Sequence, residues 1–137
     1  MRKNEPDYIY SAVKTTNLMK ESSTYTQLKE ILATAGEGLR VKKDIPEEFY
    51  LNTNKLIKSK EFFFGAIYQK KDHVSFHLFP LYTHPELKEE LSEEVRKKLQ
   101  GKNCFNFKKE LDEKALDELR NLTRKGYQRY IESGYID

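Results

Sequence analysis

Residues 61–80, EFFFGAIYQKKDHVSFHLFP, constrain the fold more than any other part of the chain. Going in, Phe62, Phe64, Ala66 and Tyr68 recur at every second position; coming out, Val74, Phe76 and Leu78 do the same. A period of two is that of a strand, whose successive side chains point to opposite faces. The polar run Gln69-Lys70-Lys71-Asp72 between the two arms marks a tight turn, so the stretch reads as a β-hairpin. Pro80 ends it, because proline has no N–H to give to a ladder.

The other elements follow from the same kind of signal. Thr24 with Gln27 forms a capping box ahead of Leu28, Ile31, Leu32 and Ala35, one apolar stripe of a first helix, and Gly36 supplies its left-handed stop. Leu39 and Val41 then share one face of a short strand ended by Pro46. Phe49 and Leu51 share a face of a second strand, with Tyr50 opposite. In YTHPELKEELSEEVRKKLQGK, Thr83 and Glu86 form another capping box and Pro85 falls in the first turn. Leu87, Leu91, Val95 and Leu99 repeat as a buried stripe, and Gly101 is the stop, so the whole segment is expected to be one helix. Acids in its first half and Arg96, Lys97 and Lys98 in its second suit the helix dipole. Phe105 and Phe107 define a last strand. Asp112 caps a final helix carrying Leu116, Leu119, Leu122, Thr123, Tyr127 and Tyr130 to about Glu132. The expected order αββββαβα is that of an α+β fold: an antiparallel sheet of about five strands with helices packed on one face. Residues 24–137 form a single domain in this reading, and 1–23 an arm without sustained periodicity.

Composition narrows the class. A chain of 137 residues with 37% hydrophobic and 34% charged residues, and with nine Tyr and eight Phe, is globular. The net charge of +3 is spread evenly along the sequence, so neither nucleic acid nor another strongly charged partner is expected. A lone cysteine, Cys104, excludes an internal disulfide and a CxxC motif. Met1-Arg2-Lys3-Asn4-Glu5-Pro6-Asp7 lacks the apolar core of a signal peptide, and no apolar run reaches the ~20 residues of a membrane span. A cytoplasmic monomer or homodimer, with no membrane partner and no cofactor, is the expectation.

By FFGAIYQKKDHVSFHLFPLYTHPEL followed by GKNCFNFK, the chain resembles the YdhG-like family over roughly residues 25–130. These are small bacterial proteins of mostly unassigned function. The resemblance implies a frataxin-like fold, two helices packed on an antiparallel sheet. Through frataxin it also implies metal handling, which there uses an acidic ridge on the first helix and the adjoining strand edge. In this chain the first helix and its exit offer only Glu30 and Glu37. The acids gather instead at Glu86, Glu89, Glu90, Glu93 and Glu94. On a helix, Glu86/Glu90 and Glu89/Glu93 would be neighbours one turn apart, the start of an oxygen-ligand set for a hard cation. The alternative is a solvated face with Glu93–Lys97 and Glu94–Lys98 pairs.

Three other constellations carry chemistry. His73 and His77, four strand residues apart, stand about 13 Å from one another, too far to share a zinc ion with ~2.1 Å bonds. His84 is a cap residue in this reading. Alternation puts His77 opposite the apolar row of its own strand, and Cys104, Asn106 and Lys108 opposite Phe105 and Phe107. These four residues, His77, Cys104, Asn106 and Lys108, are therefore the candidate binding patch on one sheet face. A thiol enzyme would need His77 within ~4 Å of the Cys104 sulfur and a depressed thiol pKa, and neither is expected. On the final helix, Arg120, Arg124, Lys125 and Arg129 lie near Tyr127, Tyr130 and Tyr135. This is read as a solvated helix face rather than a nucleic-acid surface. No glycine-rich phosphate loop, GxSxG or HExxH motif occurs. The leading function is a non-catalytic module for a small molecule or protein. Metal handling and a Cys104 thiol enzyme follow as alternatives.

Overall fold

The computed structural model describes residues 23–137. Apart from Ser23, the arm expected over 1–23 lies outside them. Helix α1 (Ser23–Ala35) leads through a turn into β1 (Arg40–Ile45), β2 (Glu48–Asn52), β3 (Phe63–Gln69) and β4 (Val74–Leu78). A short helix α2 (Pro80–Thr83), a 3₁₀ turn (Pro85–Glu90) and another short helix α3 (Glu93–Arg96) follow. Strands β5 (Leu99–Gln100) and β6 (Cys104–Phe107) precede the long helix α4 (Glu113–Glu132). The six strands form one antiparallel sheet in the order β1-β2-β3-β4-β6-β5. The α+β class therefore holds, with one strand more than the five expected.

The core lies between one sheet face and the helices. Phe49 and Leu51 from β2, Ile67 from β3, Phe76 and Leu78 from β4, and Phe105 and Phe107 from β6 are buried there. Against them pack Leu28, Ile31 and Leu32 of α1 and Leu116, Leu119, Leu122 and Tyr130 of α4. The stripes read for α1 and α4 are thus the buried ones, save that Ala35 and Tyr127 are half-buried. Asp112 caps α4 as expected, accepting from the Ala115 N–H at 2.8 Å. Gly126 allows α4 to approach α2, since a Cβ there would meet Pro80 at 2.9 Å.

Several expectations are corrected. Thr24, read as a cap, lies inside α1 and is buried. The left-handed residue after α1 is Gly38 (φ 92°), not Gly36, whose N–H still bonds to the Leu32 carbonyl. Leu39 is buried but Val41 is 53% exposed, because β1 is an edge strand bulged between Val41 and Lys43. Where β2 pairs with β3 a register shift falls between Leu51 and Asn52: Leu51 pairs with Gly65, while Asn52 pairs with Phe63. The extra residue turns Phe64 toward α4, where its ring meets Tyr127 and Tyr130. Phe62, Phe64, Ala66 and Tyr68 therefore do not share a face. Ala66 and Tyr68 pair with His77 and Ser75 on the side away from the core.

The largest correction concerns residues 82–100. They do not form one helix. Leu91 is extended (φ −76°, ψ 141°), and so is Ser92, whose hydroxyl accepts from the Val95 N–H and starts α3 afresh. Glu118 of α4 holds the break by accepting from the Ser92 N–H at 2.9 Å. Leu87, Leu91 and Val95 are buried all the same. Breaking the helix lets them follow α4, and lets Leu99 and Gln100 turn back to pair with β6.

Candidate functional site

The described helices all pack on the core side, α1 and α2 against α4 and α1 against β3 and β4. The opposite sheet face can be read off the ladder. One row runs Lys43, Tyr50, Ala66, His77, Cys104, Gln100 across β1, β2, β3, β4, β6 and β5. The next runs Ile45, Glu48, Tyr68, Ser75, Asn106. Tyr50, Tyr68, His77, Cys104 and Asn106 are half-buried on it, and Lys108 just beyond β6 is exposed. The alternation argument thus brings His77, Cys104 and Asn106 together on one face, with Lys108 at its border.

At the centre, His77 Nε2 lies 3.4 Å from the Cys104 sulfur. The expectation that these two groups would not meet is overturned. They are directly paired across β4 and β6, and opposed side chains in a ladder stand about 5 Å apart at Cβ. The sequence hid this because it gives no register. The electrostatics nevertheless oppose a thiolate. Burial pushes the Cys104 thiol above its ordinary value, and the neighbouring Ser75 hydroxyl opposes this only in part. Burial likewise lowers the His77 pKa, with the Lys70 charge adding to it. Both groups are held neutral, as a thiol beside an imidazole. The Ser75 hydroxyl donates to Asn106 Oδ1 at 2.7 Å, which fixes the amide under the Cys104 sulfur, 3.7 Å away.

Aromatic rings surround this centre. Tyr68 meets His77 edge-to-face at 5.2 Å, and Tyr50 lies against Phe63 at 4.7 Å. Phe63 continues to Phe79 and Phe79 stacks on Tyr82, so an aromatic row extends to the end of the sheet. Sequence reading missed it for want of the bulge that sends Phe63 to this face and Phe64 to the other.

The other candidates separate. His73 sits in the hairpin turn with Nδ1 2.7 Å from Asp72, and His84 bridges Thr83 and Ser133. Neither approaches His77. The glutamates face α4 instead of one another: Glu86 pairs with Arg129 and Glu90 with Lys125. With the helix broken at Leu91, the expected Glu89/Glu93 spacing is lost, and Glu93–Lys97 and Glu94–Lys98 are not among the ion pairs of the described residues. Among the described residues no group of three or more His, Cys, Asp or Glu is placed to hold a metal ion. Two further cations of α4 are likewise engaged, Arg120 by Glu113 and Asp117 and Arg124 by Asn121. No described helix is long and apolar enough to cross a membrane. Neither family models, nor curated proteins, nor solved structures give a match to this chain.

Proposed function

We propose that the protein is a small non-catalytic binding module that works through the sheet face that none of the described helices covers, with His77, Cys104, Asn106 and Lys108 among its contacts. The YdhG-like, frataxin-like assignment and a cytoplasmic setting belong to the same proposal. One observation carries it. The face opposite the core carries half-buried rings and hydrogen-bonding side chains at its centre, with the charged Lys43–Glu48 pair toward its β1–β2 edge. Amide chemical-shift mapping against a set of small planar anions and neutral heterocycles tests it. Perturbations should gather on β4 and β6 at His77, Cys104 and Asn106. Perturbations confined to α1 and α4 would move the site elsewhere.

A thiol enzyme is the second reading, favoured by the 3.4 Å contact of His77 with Cys104. The raised thiol pKa weighs against it, since a nucleophile needs the thiolate. Alkylation of Cys104 by iodoacetamide should show an apparent pKa no lower than that of a free cysteine. A rate already at its plateau below pH 7 would make Cys104 the nucleophile. For metal handling, ferrous iron should bind only in the ~mM range, because Glu86 and Glu90 are held by α4 cations and no oxygen set converges among the described residues.

A further inference from the structure

The even charge along the sequence conceals a marked asymmetry in space. At the β5–β6 border of the open face, a groove of about 590 Å³ is lined by Lys97, Lys98, Lys108 and Lys109, with the Asn106 amide on its floor side. Its single acid is Asp72, and Asp72 is already paired with His73. None of the four lysines forms an ion pair among the described residues. Four neighbouring ammonium groups repel one another unless an anion joins them. On α4, by contrast, Arg120, Lys125 and Arg129 are paired with Glu113, Asp117, Glu90 and Glu86.

The groove does not stand alone. It shares Asn106 with the face that carries His77, Tyr68, Tyr50 and Phe63, and two further lysines overhang rings at the margins. Lys70 lies 5.1 Å from the Tyr68 ring centre and Lys102 lies 5.3 Å from that of Tyr82. From the lysine groove to Tyr50 the face crosses β6, β4, β3 and β2, three strand spacings or about 14 Å. A ligand that fits must be anionic at one end, carry flat apolar faces at the other, and be long enough to span the strands. An acidic peptide has the charge without the rings. Duplex nucleic acid has rings, but they are stacked away inside it.

We infer that the open sheet face binds single-stranded nucleic acid, with bases laid on Tyr50, Tyr68 and His77 and the backbone held by Lys97, Lys98, Lys108 and Lys109. This rests on the binding-module reading above and names its ligand. Every base has a π-face, so stacking on aromatic side chains needs no sequence preference, and lysines supply the phosphate contacts. Chain recognition by a sheet face also explains why the site is open and shallow rather than an enclosed cavity.

Fluorescence anisotropy with labelled oligouridylate and oligothymidylate of about 12 nucleotides tests the inference, alongside a duplex of equal length, inorganic polyphosphate and polyglutamate. Four phosphate contacts predict a slope of log K against log salt near −3 for the single strands. Lys98→Ala with Lys108→Ala should reduce that slope to about −1.4. Tyr50→Ala and Tyr68→Ala, each verified as folded by circular dichroism, should weaken oligonucleotide binding about tenfold. Both should leave the slope and any polyphosphate binding unchanged. Equal binding of polyglutamate, or tyrosine variants that bind oligonucleotide like the parent protein, would overturn the inference and leave a general polyanion surface. If no oligonucleotide binds while planar anions still shift His77 and Asn106, the ligand is wrong and the binding module stands. If neither probe shifts that face, both readings fail.

Discussion

The two faces of the sheet are made by the same strands and obey different rules. On the helix side, Phe76, Phe105 and Phe107 are buried aromatics closed over by α1 and α4. On the other side their chain neighbours Ser75, His77, Cys104 and Asn106 are linked to one another by hydrogen bonds or close contacts; Ser75 is buried among them, and the other three keep part of their surface exposed. Adjacent residues on one strand therefore meet different surroundings, one set the packed core and the other the uncovered face. Substitution at neighbouring positions should separate the two sharply.

The largest effect belongs to the covered face. Phe76→Ala should cost about 3–5 kcal/mol in urea unfolding, since its ring is fully buried and stacks on Phe105 at 6.1 Å. A loss under ~1 kcal/mol would mean that the covered face is not the core, and the contrast between the faces would collapse.

Next come Leu91→Ala and Val95→Ala, expected to cost about 1–4 kcal/mol each. Both side chains are buried although the helix that was expected to present them is broken between them. They test whether burial, rather than helical continuity, is what the stripe encodes. A value within error at both positions would detach this segment from the core.

These residues also show how far sequence carries. Period located α1, the hairpin and β6, and period with the Asp112 cap located α4, because an apolar stripe must be buried whatever covers it. Three things were illegible for physical reasons. The break at Leu91–Ser92 depends on Glu118 of a distant helix capturing the Ser92 N–H, so local propensity alone favoured continuity. The bulge that divides Phe63 from Phe64 is set by pairing with β2, which periodicity within one strand does not reveal. The meeting of His77 with Cys104 depends on strand order and register, two quantities that no single strand encodes. For the site, alternation therefore gave the face of His77, Cys104 and Asn106 but not its contacts, its rings or its lysine border.

A smaller effect comes from the boundary between the faces. Tyr130 is fully buried, and its hydroxyl donates to the Phe63 carbonyl at 3.1 Å, beside the bulge that turns β3. Burial pushes its phenol well above the ordinary range, so it acts as a neutral donor at every accessible pH. Tyr130→Phe should cost about 1 kcal/mol, the ordinary net worth of one hydrogen bond plus an orphaned carbonyl. A neutral or stabilising outcome would show that the bulge is held by packing alone.

The smallest effect belongs to the open face and is read through pH. His77→Gln at pH 7.5 should change stability by no more than about 0.5 kcal/mol, as for a residue outside the core. Acid should reveal the histidine. Its folded pKa lies below the ordinary value of 6.5, chiefly through burial and secondarily through the charge of Lys70. Tyr68 and Cys104, the other titratable groups against the ring, are neutral in this range and supply no compensating negative charge. As pH falls past 6.5 the unfolded chain takes up the proton before the folded protein does, so the unfolded state binds more protons and is stabilised relative to the folded one. Stability contributed by neutral His77 is thus complete above that pH and declines below it, until the folded imidazole also protonates. Urea midpoints at pH 7.5 and 5.5 should fall further for the parent protein than for His77→Gln. Equal falls would mean that His77 is solvated like any surface histidine. The open face would then lack the partly desolvated centre that distinguishes a binding surface from exposed sheet.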